Sequence, residues 1–361
     1  MRKVLIVITT GLSPTGGLTT VMMNYYRRMN REGLRIDFAS NNAGVETESL
    51  SEELESNGGH YYFLGKRSRI PFYFYRLYKL AKRYDVIHVN GNSATATIEL
   101  LAAWMAGIKV RIDHNHTSKT EHPIIHTLLL PLFRKLYTIG LACSKNAGNW
   151  LFGKGNFIVL RNAIDTDKYR YSFELREKYR KEFDIPQDTF VIGNVGKYNS
   201  IKNHHKLIEV FNEYHKIHEN SMLVCVGYGP LQKDLEKCIK EFGLVGKVIL
   251  TGERTDISGF LSAMDVFVFP SKFEGLGLAV IEAQASGLPC LLSDRIPQDV
   301  YMSNNMKSLA LEASSSEWAD VIDFLKVKDR EEQCLENIRS ITKAGYNIKT
   351  EAGKLREIYL R

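Results

Sequence analysis

Glu274 and Glu282 lie in the stretch of this 361-residue chain best equipped for chemistry. Glu274 occupies a glycine-bearing turn just after an apolar run, residues 266–269, that predicts a buried strand. Glu282 falls in the helix expected next, where Leu278, Ile281, Glu282 and Ala285 recur at i, i+3, i+4 and i+7. That spacing predicts Glu282 on the apolar face. An inward carboxylate costs several kcal/mol unless a partner satisfies it. Gly275 and Gly277, with Leu276 between them, leave backbone amides open at the helix start, where an anion is welcome. An anion cradle beside two carboxylates suits a ligand carrying both phosphate and hydroxyls, such as a nucleotide sugar. The competing reading makes Glu274 a solvated turn residue and Glu282 a surface position.

Residues 270–283 read Pro-Ser-x-x-Glu-Gly-x-Gly-x-x-x-x-Glu-Ala. This pattern resembles the donor-site motif of retaining glycosyltransferases with the GT-B fold. It most resembles the large family 4 group that builds bacterial capsule, exopolysaccharide and lipopolysaccharide. The resemblance implies a hexosyltransferase acting on a UDP- or GDP-sugar, with a glycan or lipid-linked acceptor. Glu274 would hold the donor sugar hydroxyls, Glu282 the ribose, and the amides of Gly275 to Gly277 the leaving diphosphate. No nucleophile for the far face of the sugar emerges from the sequence, so front-face displacement assisted by the leaving phosphate is the expected route. Two rivals stand beside it: a nucleotide-sugar epimerase of the same architecture and a non-catalytic nucleotide-sugar-binding protein. Product analysis without acceptor separates the first, and binding without turnover marks the second.

These residues need elements to position them. Short apolar runs alternate with helical patterns through residues 1–165, which predicts a parallel sheet covered on both faces. A polar, proline-containing segment at 165–188 breaks the rhythm and is the linker candidate. The alternation then restarts. The expectation is α/β: two Rossmann-like doubly wound domains, residues 1–165 on the acceptor side and 166–345 on the donor side, facing a central cleft. By resemblance, a last helix within 346–361 packs back on the first domain.

Ligands of open parallel sheets sit beyond the carboxyl ends of the strands, so the loops that follow strands carry the remaining candidates. Gly16 and Gly17 end the loop after the first strand, and paired glycines there permit close backbone approach to phosphate or sugar. By resemblance this loop faces the donor diphosphate. Lys202 precedes a helix in the second domain, at the positive end of its dipole, an unfavourable place for a cation unless an anion compensates. A diphosphate would be that anion. Lys197 stands where the family usually has arginine, keeping the charge without the bidentate fork. Both lysines could equally be exposed surface charge. His116, followed by Thr117, resembles the family histidine near the transferred sugar, with His114 as competitor. Arg254 follows another strand of the second domain, and the resemblance has it reaching the donor. The loops at 227–230 and 252–256 would wall the nucleobase pocket, or are plain turns.

No metal or cofactor is expected. His114, His116, His122 and His126 lack the carboxylate that completes a zinc motif, and Asp165 and Asp167 belong to a segment that resembles the family's structural hinge.

Composition narrows the partners. At 44% apolar and 25% charged the chain is of ordinary globular type, and no apolar run approaches the eighteen or so residues of a membrane span. Five scattered cysteines, odd in number and without Cys-x-x-Cys spacing, suit a reducing cytoplasm. Residues 1–165 hold 21 Lys+Arg against 12 Asp+Glu, whereas the remainder holds 27 against 29, so the whole basic excess lies in the first half. Residues 66–83 contain Lys66, Arg67, Arg69, Arg76, Lys79, Lys82 and Arg83 among aromatics, and no acid. Such a stretch suits an anionic membrane surface or lipid phosphate, giving a protein peripheral on the inner face of the plasma membrane. A solvated helix face is the plain alternative. Nucleic acid is disfavoured because no recognised binding motif accompanies the charge.

Overall fold

The computed structural model describes residues 1–13 and 16–361; Pro14, Thr15 and the side chains of Val45 and Glu46 lie outside the described residues. Contacts divide the chain into two compact units, Met1–Ala163 with Gly345–Arg361, and Ile164–Ala344.

The first unit begins β1 (Arg2–Ile8), α1 (Gly17–Arg28), β2 (Leu34–Ser40), α2 (Val45–Ser56), β3 (Tyr61–Phe63) and α3 (Ile70–Ala81). It continues with β4 (Val86–Gly91), a 3-10 turn (Ala94–Ala96), α4 (Thr97–Met105), β5 (Val110–Asn115) and α5 (Pro123–Leu136). After these come β6 (Ile139–Ala142), α6 (Lys145–Phe152) and β7 (Ile158–Val159). All its strand pairs are parallel, in the order β3-β2-β1-β4-β5-β6-β7. Apolar runs such as Val4 to Ile8 are buried throughout, as strands covered on both faces must be.

The second unit contains α7 (Phe173–Glu182), β8 (Phe190–Val195), α8 (His204–Ile217), β9 (Ser221–Val226), α9 (Gln232–Glu241) and β10 (Val248–Leu250). Next come α10 (Ile257–Ala263), β11 (Val266–Phe269), α11 (Leu278–Ala285), β12 (Cys290–Ser293) and β13 (Met306–Leu309). The helices α12 (Ser315–Asp323) and α13 (Arg330–Lys343) complete it. Its six strands are also all parallel, in the order β10-β9-β8-β11-β12-β13. Finally α14 (Ile348–Leu360) packs on α1 of the first unit, with Tyr359 hydrogen-bonded to His88 Nδ1 at 2.6 Å and Arg356 donating to Asn30 O at 2.8 Å.

The segment 165–188 is not a linker. It contains α7, capped by Ser172, which accepts from Leu175 N at 3.2 Å, and packed against α10. The buried residues of α7 are Tyr179 and Arg180. The Arg180 guanidinium donates to the carbonyls of Ala263, Pro186, Gln187 and Thr189 and pairs with Asp265 at 2.7 Å. A helix anchored by a buried arginine shows no apolar periodicity, so its pattern reads as loop. The edge strand β13 escaped for a related reason: it is half exposed and short.

Candidate active site

In the second unit the strand order reverses between the adjacent β8 and β11. That is where open parallel sheets bind ligands, beyond the carboxyl ends of the strands. Residues 196–203 leave β8 there and residues 270–277 leave β11. The two loops are joined by Lys272 N donating to Ile201 O at 2.8 Å and Asn203 Nδ2 to Pro270 O at 3.2 Å. Asn199 Oδ1 accepts from Ile201 N at 3.1 Å and Lys202 N at 3.0 Å, fixing the turn from within.

A third loop braces this turn from behind. Tyr198 is buried, with its N–H on Tyr228 O at 2.9 Å, its carbonyl accepting from Leu231 N at 3.1 Å and its hydroxyl on Cys225 O at 2.7 Å. Gly227 has φ +151, and a Cβ there would fall 2.1 Å from Gly196 O. A Cβ on Gly229 would fall 2.4 Å from Tyr198 O. The Gly-Tyr-Gly sequence at 227–229 therefore exists because two backbones press together, a reason more specific than a plain turn.

The result is an ion pair. Lys202 Nζ lies 2.6 Å from Glu274 Oε1 and 4.8 Å from the centroid of the Phe269 ring, and both charged side chains are largely buried. At the head of α8 the carboxylate beside Lys202 is the protein's own Glu274. Lys197 is exposed, and its ammonium meets no carboxylate among the described residues. The amides of Gly275, Leu276 and Gly277 donate to no described residue, and Gly277 starts α11 in the left-handed conformation at φ +89. Two cations and three uncommitted amides thus converge on one end of the sheet.

Glu282 lies in α11, whose buried residues are Val280, Ile281, Ala283, Gln284 and Ala285. The helix is covered nearly all round, and Glu282 shares its partly open strip with Leu278 and Ala279 rather than the face of Ile281. It is partly covered there, on the side that carries Leu278, as the i, i+4 spacing puts it. Burial raises the Glu282 carboxyl above the usual carboxylate range, against a hydrogen bond from Tyr169 and the nearby charge of Lys168.

Arg254 is committed elsewhere. Its guanidinium forks onto Asp256 at 2.9 and 2.6 Å, leans on the rings of Phe183 and Phe260, and approaches Glu182 at 3.5 Å. Tyr179 also donates to Asp256, at 2.5 Å. This corner joins α7 to α10 and occupies the Nε–Nη2 edge of the Arg254 guanidinium, while Nη1 donates to no described residue.

In the first unit, His116 follows β5 with Nδ1 3.1 Å from Asn162 Oδ1 and Nε2 3.1 Å from Asn90 Oδ1. Its ring lies 4.0 Å from that of His114, which stacks on His88 at 5.4 Å. Burial holds His116 down to about 4 and His88 to about 3, and depresses His114 as well. All three are neutral near pH 7. His116 is the partly exposed member and His114 is fully buried. Gly17 begins α1 with open space beside its Cα, and Gly16 caps that helix. Among the described residues no three His, Cys, Asp or Glu side chains are grouped to hold a metal, and no helix is long and apolar enough to cross a membrane.

Sequence reasoning missed Asn90, Asn162, Tyr198, Asn199 and Tyr169, the residues that hold the singled-out ones in place. Only Asn199, two before a turn amide, carries a local signal.

Comparison with known proteins agrees with this geometry. Residues 15–168 match the model of Glycosyltransferase Family 4, and residues 175–341 that of Glycosyl transferases group 1. The putative glycosyltransferase EpsF of Bacillus subtilis is 30% identical, over 95% of this chain and 93% of its own length. The capsular polysaccharide biosynthesis glycosyltransferase CapH of Staphylococcus aureus is 26% identical, covering 96% and 95%. The UDP-Gal:alpha-D-GlcNAc-diphosphoundecaprenol alpha-1,3-galactosyltransferase of Escherichia coli is 27% identical, covering 79% and 78%. Among solved structures, Anabaena Alr3699/HepE in complex with UDP and glucose superposes with a TM-score of 0.77 at 19% identity, covering 99% of each chain, which shows the GT-B fold. The chain belongs to the group 1, family 4 glycosyltransferases and is an enzyme of that class.

Proposed function

We propose that this glycosyltransferase moves a hexose from a nucleoside diphosphate sugar, a UDP- or GDP-sugar, to a lipid-linked or glycan acceptor in surface polysaccharide synthesis, with retention at the anomeric carbon. The observation that carries it is the Lys202–Glu274 pair at 2.6 Å beside the uncommitted amides of Gly275 to Gly277. When a diphosphate arrives, Lys202, Lys197 and the amides stabilise the charge that grows as it leaves, the work of an oxyanion hole. Glu274, held by a cation, is a poor nucleophile and a good acceptor for sugar hydroxyls. Displacement on the same face, with the leaving phosphate taking the acceptor proton, therefore needs no carboxylate behind the sugar. Glu282 accepts from the ribose, and His116, neutral, exchanges one asparagine for a sugar hydroxyl. Gly16 and Gly17 offer backbone to the donor phosphates. Lysines and amides replace a metal, so transfer persists in EDTA.

The diphosphoundecaprenol acceptor and UDP-galactose donor named for the Escherichia coli relative support the lipid-linked and UDP choices. A lipid-linked acceptor requires the enzyme at a membrane, and the acid-free basic residues 66–83 serve to place it on the inner face. The test is a thermal-shift screen of UDP-, GDP- and ADP-sugars, followed by nuclear magnetic resonance of the product's anomeric proton. Inversion, or dependence on added Mg²⁺ or Mn²⁺, would overturn the mechanism.

A further inference from the structure

The first unit carries a surface that the transfer chemistry does not use. On α5, Ile124 and Leu128 are 75% and 73% exposed, and Ile125 and Leu132 are also open. Ile124, Leu128 and Leu132 recur every fourth residue, one stripe along the helix. A helix of a water-soluble surface normally turns such a stripe inward.

At the head of α3 lies a groove of about 300 Å³ lined by Phe63, Gly65, Lys66, Arg69, Phe72 and Arg76, with buried Tyr73 at its base. It contains three cations and no acid. Arg76 lies over the Phe72 ring at 4.6 Å, and Ile70, Phe72 and Tyr75 are exposed beside it.

Hydrogen bonds fix the two features to one edge. Arg67 donates to Thr95 O at 2.8 Å and forks onto buried Glu99 at 2.8 and 3.0 Å, tying the chain before α3 to the 3-10 turn after β4. From the other side, His126 in the second turn of α5 accepts from Ala94 N of that same turn at 3.2 Å. The stripe and the groove thus flank one short turn at the carboxyl-end edge of the sheet. Arg67 is the one basic residue of 66–83 bound to an internal carboxylate; Lys66, Arg69, Arg76, Lys79, Lys82 and Arg83 remain exposed.

We propose that this edge is a two-part membrane-docking face: the α5 stripe enters the interfacial layer of an anionic bilayer while the α3 groove holds a lipid headgroup phosphate. The proposal deepens the membrane placement suggested above and rests on it. Charge decides the occupant. Residues 122–136 and 66–83 contain no acid, so a second copy presenting the same face would set cation against cation, whereas anionic lipid complements both parts. Apolar insertion and headgroup attraction are also the two signals that together give stable peripheral binding.

The test uses the full chain, with vesicles of phosphatidylcholine alone or containing 30% phosphatidylglycerol (about the anionic share that gives a marked surface potential). Three proteins are compared by co-sedimentation at low and moderate salt: wild type, Ile124→Ser/Leu128→Ser and Arg69→Gln/Arg76→Gln. Thermal melts confirm that each folds, and light scattering reads its oligomeric state. Expected are wild-type binding to anionic vesicles only, an α5 variant weakened at least about tenfold at either salt, and an α3 variant weakened mainly at low salt. Wild-type binding that the α5 variant retains would overturn the stripe while leaving residues 66–83 as the membrane contact. No wild-type binding would overturn both, and transfer to a water-soluble acceptor would then show the catalytic reading untouched. Self-association of the wild type that the α5 variant loses would assign the face to a second copy instead. Inorganic phosphate that competes with vesicles as strongly as it competes on the α3 variant would overturn the headgroup groove.

Discussion

Among the cation–carboxylate pairs of the second unit, two are opposite in character. Arg254 and Asp256 are two residues apart and joined by Nε and Nη2 of the guanidinium, with Tyr179 donating to the same carboxylate and Glu182 3.5 Å from Nη2. Lys202 and Glu274 are brought together from separate loops by a single contact at 2.6 Å. Around them, the amides of Gly275 to Gly277 and the ammonium of Lys197 have no protein partner among the described residues. The first pair is a two-bond fork at the junction of α7 and α10. The second has charge and donors to spare. On the function proposed above, what marks the second pair is the unfilled donors around it, rather than its length or burial.

Breaking the open pair should cost the most. Lys202→Ala is expected to lower kcat by roughly 10²–10³, the usual worth of a group that stabilises a leaving anion. It also strips Glu274 of its cation, so a modest drop in melting temperature accompanies the loss, and Lys202→Arg should recover part of the rate. Steady-state kinetics of Lys202→Ala within about threefold of wild type would erase the distinction between the pairs.

The brace behind the open pair comes next. Gly227→Ala puts a Cβ 2.1 Å from Gly196 O and must displace the turn that carries Lys202. A shift of about 1 Å can cost as much as 10² in rate, and a ten- to hundredfold fall in kcat is expected. Gly252→Ala is the control, since its φ of +74 is strained but its Cβ meets nothing within 4 Å. Equal rates in the two variants would separate the brace from catalysis.

The first unit supplies a neutral counterpart. His88, His114 and His116 titrate below the ordinary histidine range because they are buried, whereas their unfolded forms take up protons near pH 6.5. Their contribution is fully present above about pH 6.5 and is lost as pH falls from there through about 4. In the second unit burial lowers His204, to about 4, and the less buried His215. Acidification should therefore loosen the first unit earlier, read by hydrogen exchange resolved along the chain. Simultaneous loss of protection in both units would contradict this ordering.

The smallest catalytic effect belongs to the closed pair. Arg254→Ala should leave kcat/KM within about threefold while lowering stability by about 1–2 kcal/mol, the scale of hydrogen bonds to a charged group. Asp256 is held down to about 2, chiefly by its hydrogen bond from Arg254. Its contribution exists above about pH 3.8 and fades as pH falls through about 2, so the gap between wild type and variant should narrow below pH 3. A large rate loss in Arg254→Ala at unchanged stability would return Arg254 to the donor site.

Some of this is legible in the sequence alone. Alternating apolar runs gave two parallel-sheet units because a strand buried on both faces leaves a continuous apolar run such as Val4 to Ile8. The glycine turn between β11 and α11 was legible because turn chemistry is local. What sequence left hidden was made of contacts between distant residues. Helix α7 is anchored by a buried arginine that makes five hydrogen bonds to carbonyls and Asp265, which no apolar period reveals. Arg254 and Lys202 look alike on paper, each a cation after a strand. Tertiary structure alone decided that one is locked to its neighbour while the other meets a carboxylate 72 residues away. Charge and turn propensity are written residue by residue, but the partner of a charge is fixed only when the sheet brings its loops to one edge.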